Sequence, residues 1–418
     1  MFYTFRYLLL IGLVMFNQVH AAQVLSLSEA GRLAQQLDPS SKRLDSLAQA
    51  MKEGSVAEGQ LPDPKFRFGL MNFPTDTFNR DQEPMTQIQL GVQQMIPRGN
   101  SLAIKTRRSL SKASTSEYRG QNRQRSILKQ VRLKWLELFY WNRASGVIDK
   151  NRALFEQLVE VSQYHYAAGR RNQQDVIRAQ LELSKLDDRM LEIKTRQDKI
   201  RAELGVLVGL APASFELPQQ LPSLEVASGF EQLADALDQH PTMLAAKSQV
   251  NTGKQGVELA REAYKPGWML GVNYGIRDGQ NPNGRDRPDF FSIGVTVDIP
   301  LFREKRQDRR LAASQHRLGA SKQNRDQQYL DLKKMLERDY AEWQRLEERH
   351  ALYRDVLLMQ AKQNSEASLF AYQNDRTDFA TLMRARITEL NTRLKSIRIN
   401  VNRAKAQVRL YYLSGEEK

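Results

Sequence analysis

Cysteine is absent from all 418 residues. That excludes disulfides, zinc–thiolate sites, thiol nucleophiles and a lipid-anchoring cysteine at a mature N-terminus. Histidine is scarce: the five copies are dispersed and none stands in HExxH spacing, so a zinc hydrolase finds no ligand set. No phosphate-binding loop of the form Gly, four residues, Gly-Lys, then Ser or Thr occurs, so no nucleotide site is expected. Beyond the N-terminus there is no run of about 18 apolar residues, so no helix is expected to cross a bilayer. A β-barrel stays open, because each transmembrane strand needs only about 10 residues. Proline is missing over two long stretches, Arg98 to Ala168 and Leu301 to Ala371. Glycine is nearly missing there too, with Gly99, Gly120 and Gly146 in the first and Gly319 in the second.

The formal net charge is +15. Lys and Arg alternate with Asp and Glu, as in Asp187-Asp188-Arg189 and Arg345-Leu346-Glu347-Glu348-Arg349. This reads as solvated helix faces, not a nucleic-acid stripe. Residues 1–21 read as a secretory signal: Arg6 is the positive region, Leu8 to Phe16 the apolar core, and Val19-His20-Ala21 the cleavage region. The alternative is a buried N-terminal helix.

An internal duplication organises the rest. Pro39 matches Pro241, Pro64 matches Pro266 and Gly69 matches Gly271 at an offset of 202. Gly91/Gly294 and Pro97/Pro300 match at 203, and Tyr166/Tyr372 and Ala179/Ala385 at 206. The ordered series predicts two repeats, 22–210 and 230–418, joined by a proline-bearing linker over 211–229. Each repeat reads as a short helix (about Ser28–Gly59; Phe230–Tyr264), two extended segments, a very long helix, a turn and a second long helix.

Four segments alternate with period 2. Their apolar positions are Phe66, Phe68 and Leu70; Ile88, Leu90 and Val92; Trp268, Leu270 and Val272; and Phe291, Ile293 and Val295. These are the lipid-facing candidates. Between them stand Gly69; Gln87, Gln89 and Gly91; Gly271; and Ser292, Gly294 and Thr296. These small or uncharged polar residues suit a water-filled lumen. A half-buried soluble sheet alternates in the same way. The linking segments Pro74–Pro84 and Ile276–Pro288 are rich in turn formers and read as exposed rim loops.

Each proline-free stretch has 71 residues, which as α-helix is roughly 105 Å. Apolar residues recur at three- and four-residue steps, as in Leu128, Val131, Trp135 and Leu138, a coiled-coil spacing with interruptions. At the turns, Gly169 suits a left-handed helix C-cap, and Asp375 at the matching place tolerates it less well. Asn172, and Thr377 or Asp378, are candidate N-caps for the returning helices. Met71, Met85 and Met95 read as packing residues, not a soft-metal site.

At this point the chain resembles the TolC-type outer-membrane efflux protein family. The resemblance rests on Leu61-Pro62-Asp63-Pro64 before the first strand and on two exits, Gln94-Met95-Ile96-Pro97-Arg98-Gly99 and Val297-Asp298-Ile299-Pro300-Leu301-Phe302. It rests also on the Tyr166…Gly169…Ala179 tip and the duplication. Pro62-Asp63-Pro64 and Pro84–Gln87 look most like the heavy-metal-efflux branch. The resemblance implies an α+β membrane protein in which a homotrimer shares one β-barrel, four strands per protomer, in outer-membrane lipid. Long coiled-coil helices would form a periplasmic α-barrel that meets a periplasmic adaptor protein and an inner-membrane efflux pump. The implied function is a passive exit duct: no enzyme, no cofactor, no metal and no nucleic acid. Physics asks for sharing, since four strands cannot close a barrel. Two copies give eight strands and three give twelve; only the resemblance chooses three. The competing reading is an exported or structural coiled-coil or adaptor protein.

The periplasmic tip candidates are Gly169, Arg170, Asp175, Asp375, Arg376, Asp378, Thr381 and Arg384. Relatives carry acidic residues just past the second tip, where this chain has Thr381 and Arg384. An acidic, cation-selective ring is therefore not expected. The functional expectation is that Arg376 or Arg384 pairs with Asp175 or with Asp378 of a neighbouring copy.

Overall fold

Proline and a polar cap open the first long element of each repeat. The computed structural model describes residues 23–225 and 229–415; the expected signal segment 1–21 lies outside them. The elements run α1 (Leu27–Leu37), α2 (Pro39–Glu58), β1 (Lys65–Met71), β2 (Gln87–Ile96), α3 (Ser101–Ala167), α4 (Gln173–Val208) and α5 (Leu210–Ser214). The second repeat follows with α6 (Phe230–Ala236), a 3-10 turn (Leu237–Gln239), α7 (Pro241–Glu262), β3 (Gly267–Ile276), β4 (Phe290–Asp298), α8 (Gln307–Leu352), α9 (Leu358–Gln373) and α10 (Phe379–Ser414).

The single short helix expected at the head of each repeat is split in two, at Asp38-Pro39 and at His240-Pro241. Proline at N1 cannot continue a preceding helix but starts a new one well. The matched prolines thus mark a shared break.

Two compact units divide the chain, and each draws on both repeats because α3 runs from one into the other. The first holds Met1–Leu37, Val131–Ser223 and Leu352–Val401. At its centre Trp135 is fully buried and donates its indole N–H to Leu25 O at 2.8 Å. Phe139 stacks on it at 5.6 Å. Leu25 N–H in turn donates to Glu216 O at 2.9 Å, tying the start of the described chain to the linker. Arg398 lies 3.3 Å over the Tyr140 ring and donates to Glu137.

The second unit holds Asp38–Gln130, Leu224–Ala351 and Asn402–Lys418. Leu233, Leu237, Met243, Leu332, Leu336 and Leu410 form its core, with Tyr340 and Trp343 packed against it. α2 lies close along α3 because small hydroxyls face its backbone: Ser109 donates to Met51 O at 3.0 Å and Ser116 to Leu44 O at 2.9 Å. Asp38 accepts from Ser41 N–H at 2.9 Å and pairs with Arg123 at 2.7 Å. The Arg123 hydrogen bond holds its carboxyl below the usual range. At the same place in the second repeat, His240 accepts from Thr242 N–H through Nδ1 and donates through Nε2 to Tyr412 O, both at 3.2 Å. That pattern fixes a neutral imidazole. Burial, then the nearby Arg125 charge, lowers its pKa to about 4.

The helical hairpins match residue for residue. α3 has 67 residues; α8, a five-residue π-helical turn at Tyr353–Leu357 and α9 cover the same length with 46, 5 and 16. α4 and α10 have 36 each. α8 starts later than the proline-free stretch suggested, at Gln307 instead of Leu301. The drift in repeat offset from 203 to 206 is absorbed there, in the exit loop, so the hairpins themselves keep register.

Candidate functional site

Four antiparallel strands form one sheet in the order β1-β2-β3-β4. Directly opposed residues of antiparallel strands share a face. Phe66 meets Val92, Phe68 meets Leu90 and Leu70 meets Ile88. Leu90 meets Tyr274 and Val92 meets Val272. Trp268 meets Val297, Leu270 meets Val295, Val272 meets Ile293 and Tyr274 meets Phe291. This register puts all twelve apolar candidates on one face. The opposite face carries Gly69 against Gln89, Met71 against Gln87, Gly271 against Gly294, Asn273 against Ser292, and Met269 against Thr296. The register also places residues outside these candidate rows. Gln94 falls on the apolar face opposite Leu270, and its amide is tied to Pro62 O at 2.8 Å. Lys65, Arg67, Met95 and Asn273 fall on the polar face. Among the described residues, the outer strands β1 and β4 each have one edge with no strand beside it.

The rim loops hold each other through arginines. Arg287 donates to three carbonyls, those of Asp81, Glu83 and Asp278, at 3.0 to 3.2 Å. Arg277 donates to Pro84 O at 2.9 Å and Pro288 O at 2.7 Å. Reading these segments as turn formers missed that role.

At the first strand exit the backbone turns at Gly99, whose φ is +46°. A Cβ there would collide with the Glu262 carboxylate, which accepts from Asn100 N–H at 2.7 Å beside the start of α3. A carboxylate at a helix N-terminus meets free N–H groups and the positive end of the dipole. Arg98 donates to Ala263 O at 2.9 Å. The second exit has no such cover: Ile299, Leu301 and Phe302 are exposed, Phe302 at 89%.

The two tips are built alike. Arg170 N–H donates to His165 O at 2.9 Å and Arg376 N–H to Ala371 O at 2.8 Å, the six-residue bond of a Schellman turn. Gly169 at φ +69° and Asp375 at +58° take the left-handed position in each. Asp378 caps α10, accepting from Thr381 N–H at 2.6 Å, and that bond lowers its pKa. Asn172 stands at the N-cap of α4 but makes no side-chain cap bond. Among the described residues the ion pair at the tip is Arg171–Asp375; neither Arg376 nor Arg384 reaches Asp175. Arg384 instead leans on Thr381 Oγ1 at 3.4 Å. Arg171 also sits 5.3 Å over the Tyr372 ring, which stacks edge-on against His165 and Phe379. Tyr372 is buried, its hydroxyl has no partner among the described residues, and burial raises its pKa. Sequence reading missed Arg171 and the ring cluster. The repeated tyrosine was its only trace.

Residues 233–416 match the outer membrane efflux protein family. That match lies within the second repeat and covers less than half of the chain. Outer membrane efflux protein BepC of Brucella suis is 25% identical over 232 residues, covering 52% of this chain and 49% of BepC. The chain thus spans about half the length of that curated relative. Likeness in fold to solved structures extends over far more of the chain. The outer membrane protein VceC of Vibrio cholerae superposes with a TM-score of 0.77 at 17% identity, over 94% of this chain and 97% of VceC. The open-state MtrE outer membrane channel of Neisseria gonorrhoeae gives 0.76 at 13%, over 93% and 88%. The expected α+β architecture of four strands and paired long helices is therefore the fold of this chain.

Proposed function

We propose that the protein is the outer-membrane exit duct of a tripartite efflux system. It conducts cargo passively from a periplasmic adaptor and an inner-membrane pump to the outside. The observation that carries this reading is the sheet: one continuous apolar face, one polar face and two open edges. In hydrocarbon an unpaired strand edge leaves N–H and C=O groups without partners, at several kcal/mol each. The β1 edge of one copy therefore meets the β4 edge of the next, and the family resemblance favours three copies. In this arrangement the apolar row headed by Phe66, Leu90, Val272 and Ile293 faces lipid. The row of Gly69, Gln89, Gly271 and Thr296 faces the lumen. The exposed Ile299, Leu301 and Phe302 lie where a neighbouring copy covers them. The hairpin tips point to the adaptor, and no chemical step is required, because the pump supplies the energy.

The test is recovery of the full chain from density-separated membranes. The reading expects the outer-membrane fraction and a heat-modifiable oligomer that collapses on boiling to a chain of at most 48.1 kDa. A protein stripped from membranes by alkali, with no heat-modifiable form, would favour the exported coiled-coil or adaptor alternative.

A further inference from the structure

Several arginines of the sheet-bearing unit are held by carboxylates, as in Arg107–Glu258, Arg123–Asp38, Arg403–Glu347 and Arg409–Asp339. One groove is different. It runs between α3, α7 and α8, encloses about 880 Å³, and is lined by Arg108, Lys305, Arg306, Arg309, Arg310 and Arg317. No Asp or Glu lines it. None of the six cations has an ion pair among the described residues, and Arg108 Nε is buried without any hydrogen-bond partner. Asp308, beside Arg309, is turned to the Tyr264 hydroxyl at 2.5 Å.

The floor is as particular as the walls. Gly253 lets α7 approach α8, since a Cβ there would press on Ser321 and Leu318 at 3.2 and 3.3 Å. Gly256, one turn on, would meet nothing within 4 Å, so the groove stays open above it. Arg306, just before α8, and Arg310 and Arg317 within it recur at helical spacing and share one stripe. Six like charges around one hollow repel one another unless an anion lies between them. Guanidinium groups match the oxygens of a phosphate in paired hydrogen bonds.

We propose that this groove binds a phosphate-bearing anion, either a soluble one or the headgroup of an anionic phospholipid. The site is independent of the conduit reading, because it is read by binding and not by conductance. Sodium pyrophosphate is titrated calorimetrically into the detergent-solubilised full chain at low salt. The wild type should bind saturably and more weakly as salt rises. Two variants test the walls and the floor separately. The triple Arg306→Ala, Arg310→Ala, Arg317→Ala removes exposed side chains and should bind at least about tenfold more weakly. Gly256→Leu fills the floor without changing charge, in a helix it should if anything favour, and should weaken binding likewise. Arg325→Ala with Arg345→Ala and Arg354→Ala, three arginines that already have carboxylate partners, should leave binding unchanged. Native mass spectrometry then separates the sources. Phosphatidylglycerol retained by the wild type and lost from the triple names a lipid; pyrophosphate binding without retained lipid names a soluble anion. Absence of saturable binding in the wild type, or equal binding by the triple, overturns the proposal.

Discussion

Arginine in place of Leu90 tests which face of the sheet meets lipid. Leu90 is the fourth residue of the ten in β2 and lies between Phe68 on β1 and Tyr274 on β3. A lipid-facing arginine near mid-bilayer costs about 2–4 kcal/mol per copy. Three copies make that about 6–12 kcal/mol for one barrel, enough to deplete the assembled form by orders of magnitude. Gln89 is the adjacent residue but points the other way, between Gly69 and Gly275. Arginine there has room beside two glycines and stays hydrated, at a cost within about 0.5 kcal/mol. Ile293 on β4, opposite Val272, should behave as Leu90 does. The assay is the fraction of heat-modifiable oligomer in outer membranes at matched expression. Leu90→Arg and Ile293→Arg should lose it, and Gln89→Arg should keep it. Equal tolerance at Leu90 and Gln89 would refute the assigned facing, and a reversed order would invert it.

Three further outcomes follow from the packing. Because the His240 pKa sits at about 4 when folded, against 6.5 unfolded, the unfolded chain takes up the proton first as pH falls. Stability at the start of α7 is then full above about pH 6.5 and falls by about 3 kcal/mol towards pH 4; hydrogen exchange at Thr242 and Leu244, corrected for intrinsic rates, should show the loss in wild type but not in His240→Gln. Asp375→Gly keeps the left-handed turn while deleting the Arg171 pair, worth about 0–1 kcal/mol per copy. Single-channel conductance in planar bilayers should rise, and unchanged conductance from intact oligomers would place the gate elsewhere. Trp135→Ala removes a fully buried ring and its bond to Leu25 O, so calorimetry should register a destabilisation of about 3–5 kcal/mol; a loss below about 1 kcal/mol would contradict the packing described.

The strands were legible because their two faces differ in chemistry at period 2, and every apolar position singled out lies within one of the four strands. The hairpins were legible because proline is missing over each stretch. What stayed hidden depends on distance along the chain or on backbone detail. Arg171 and Asp375 are 204 residues apart, and nothing local marks them as partners. The three-residue drift between repeats was visible, but not that residues 301–306 hold it and leave the helices in register. Asp38 and His240 occupy matching caps with different chemistry, one paired with Arg123 and one neutral against Tyr412. Residue type offered Asn172, and Thr377 or Asp378, as caps; Asp378 makes the bond and Asn172 does not.

The central claim, that separate copies close one barrel through the β1 and β4 edges, is open to a direct measurement because the chain has no cysteine of its own. Gly69→Cys on β1 is combined in turn with Ser292→Cys, Gly294→Cys or Thr296→Cys on β4. A Cβ at Gly69 or Gly294 meets nothing within 4 Å. After mild oxidation in membranes and a denaturing gel, at least one pair should give covalent dimer and trimer and nothing larger, because a closed ring of three has no fourth edge. Monomer alone from every pair, or a ladder that climbs past three, would contradict the account.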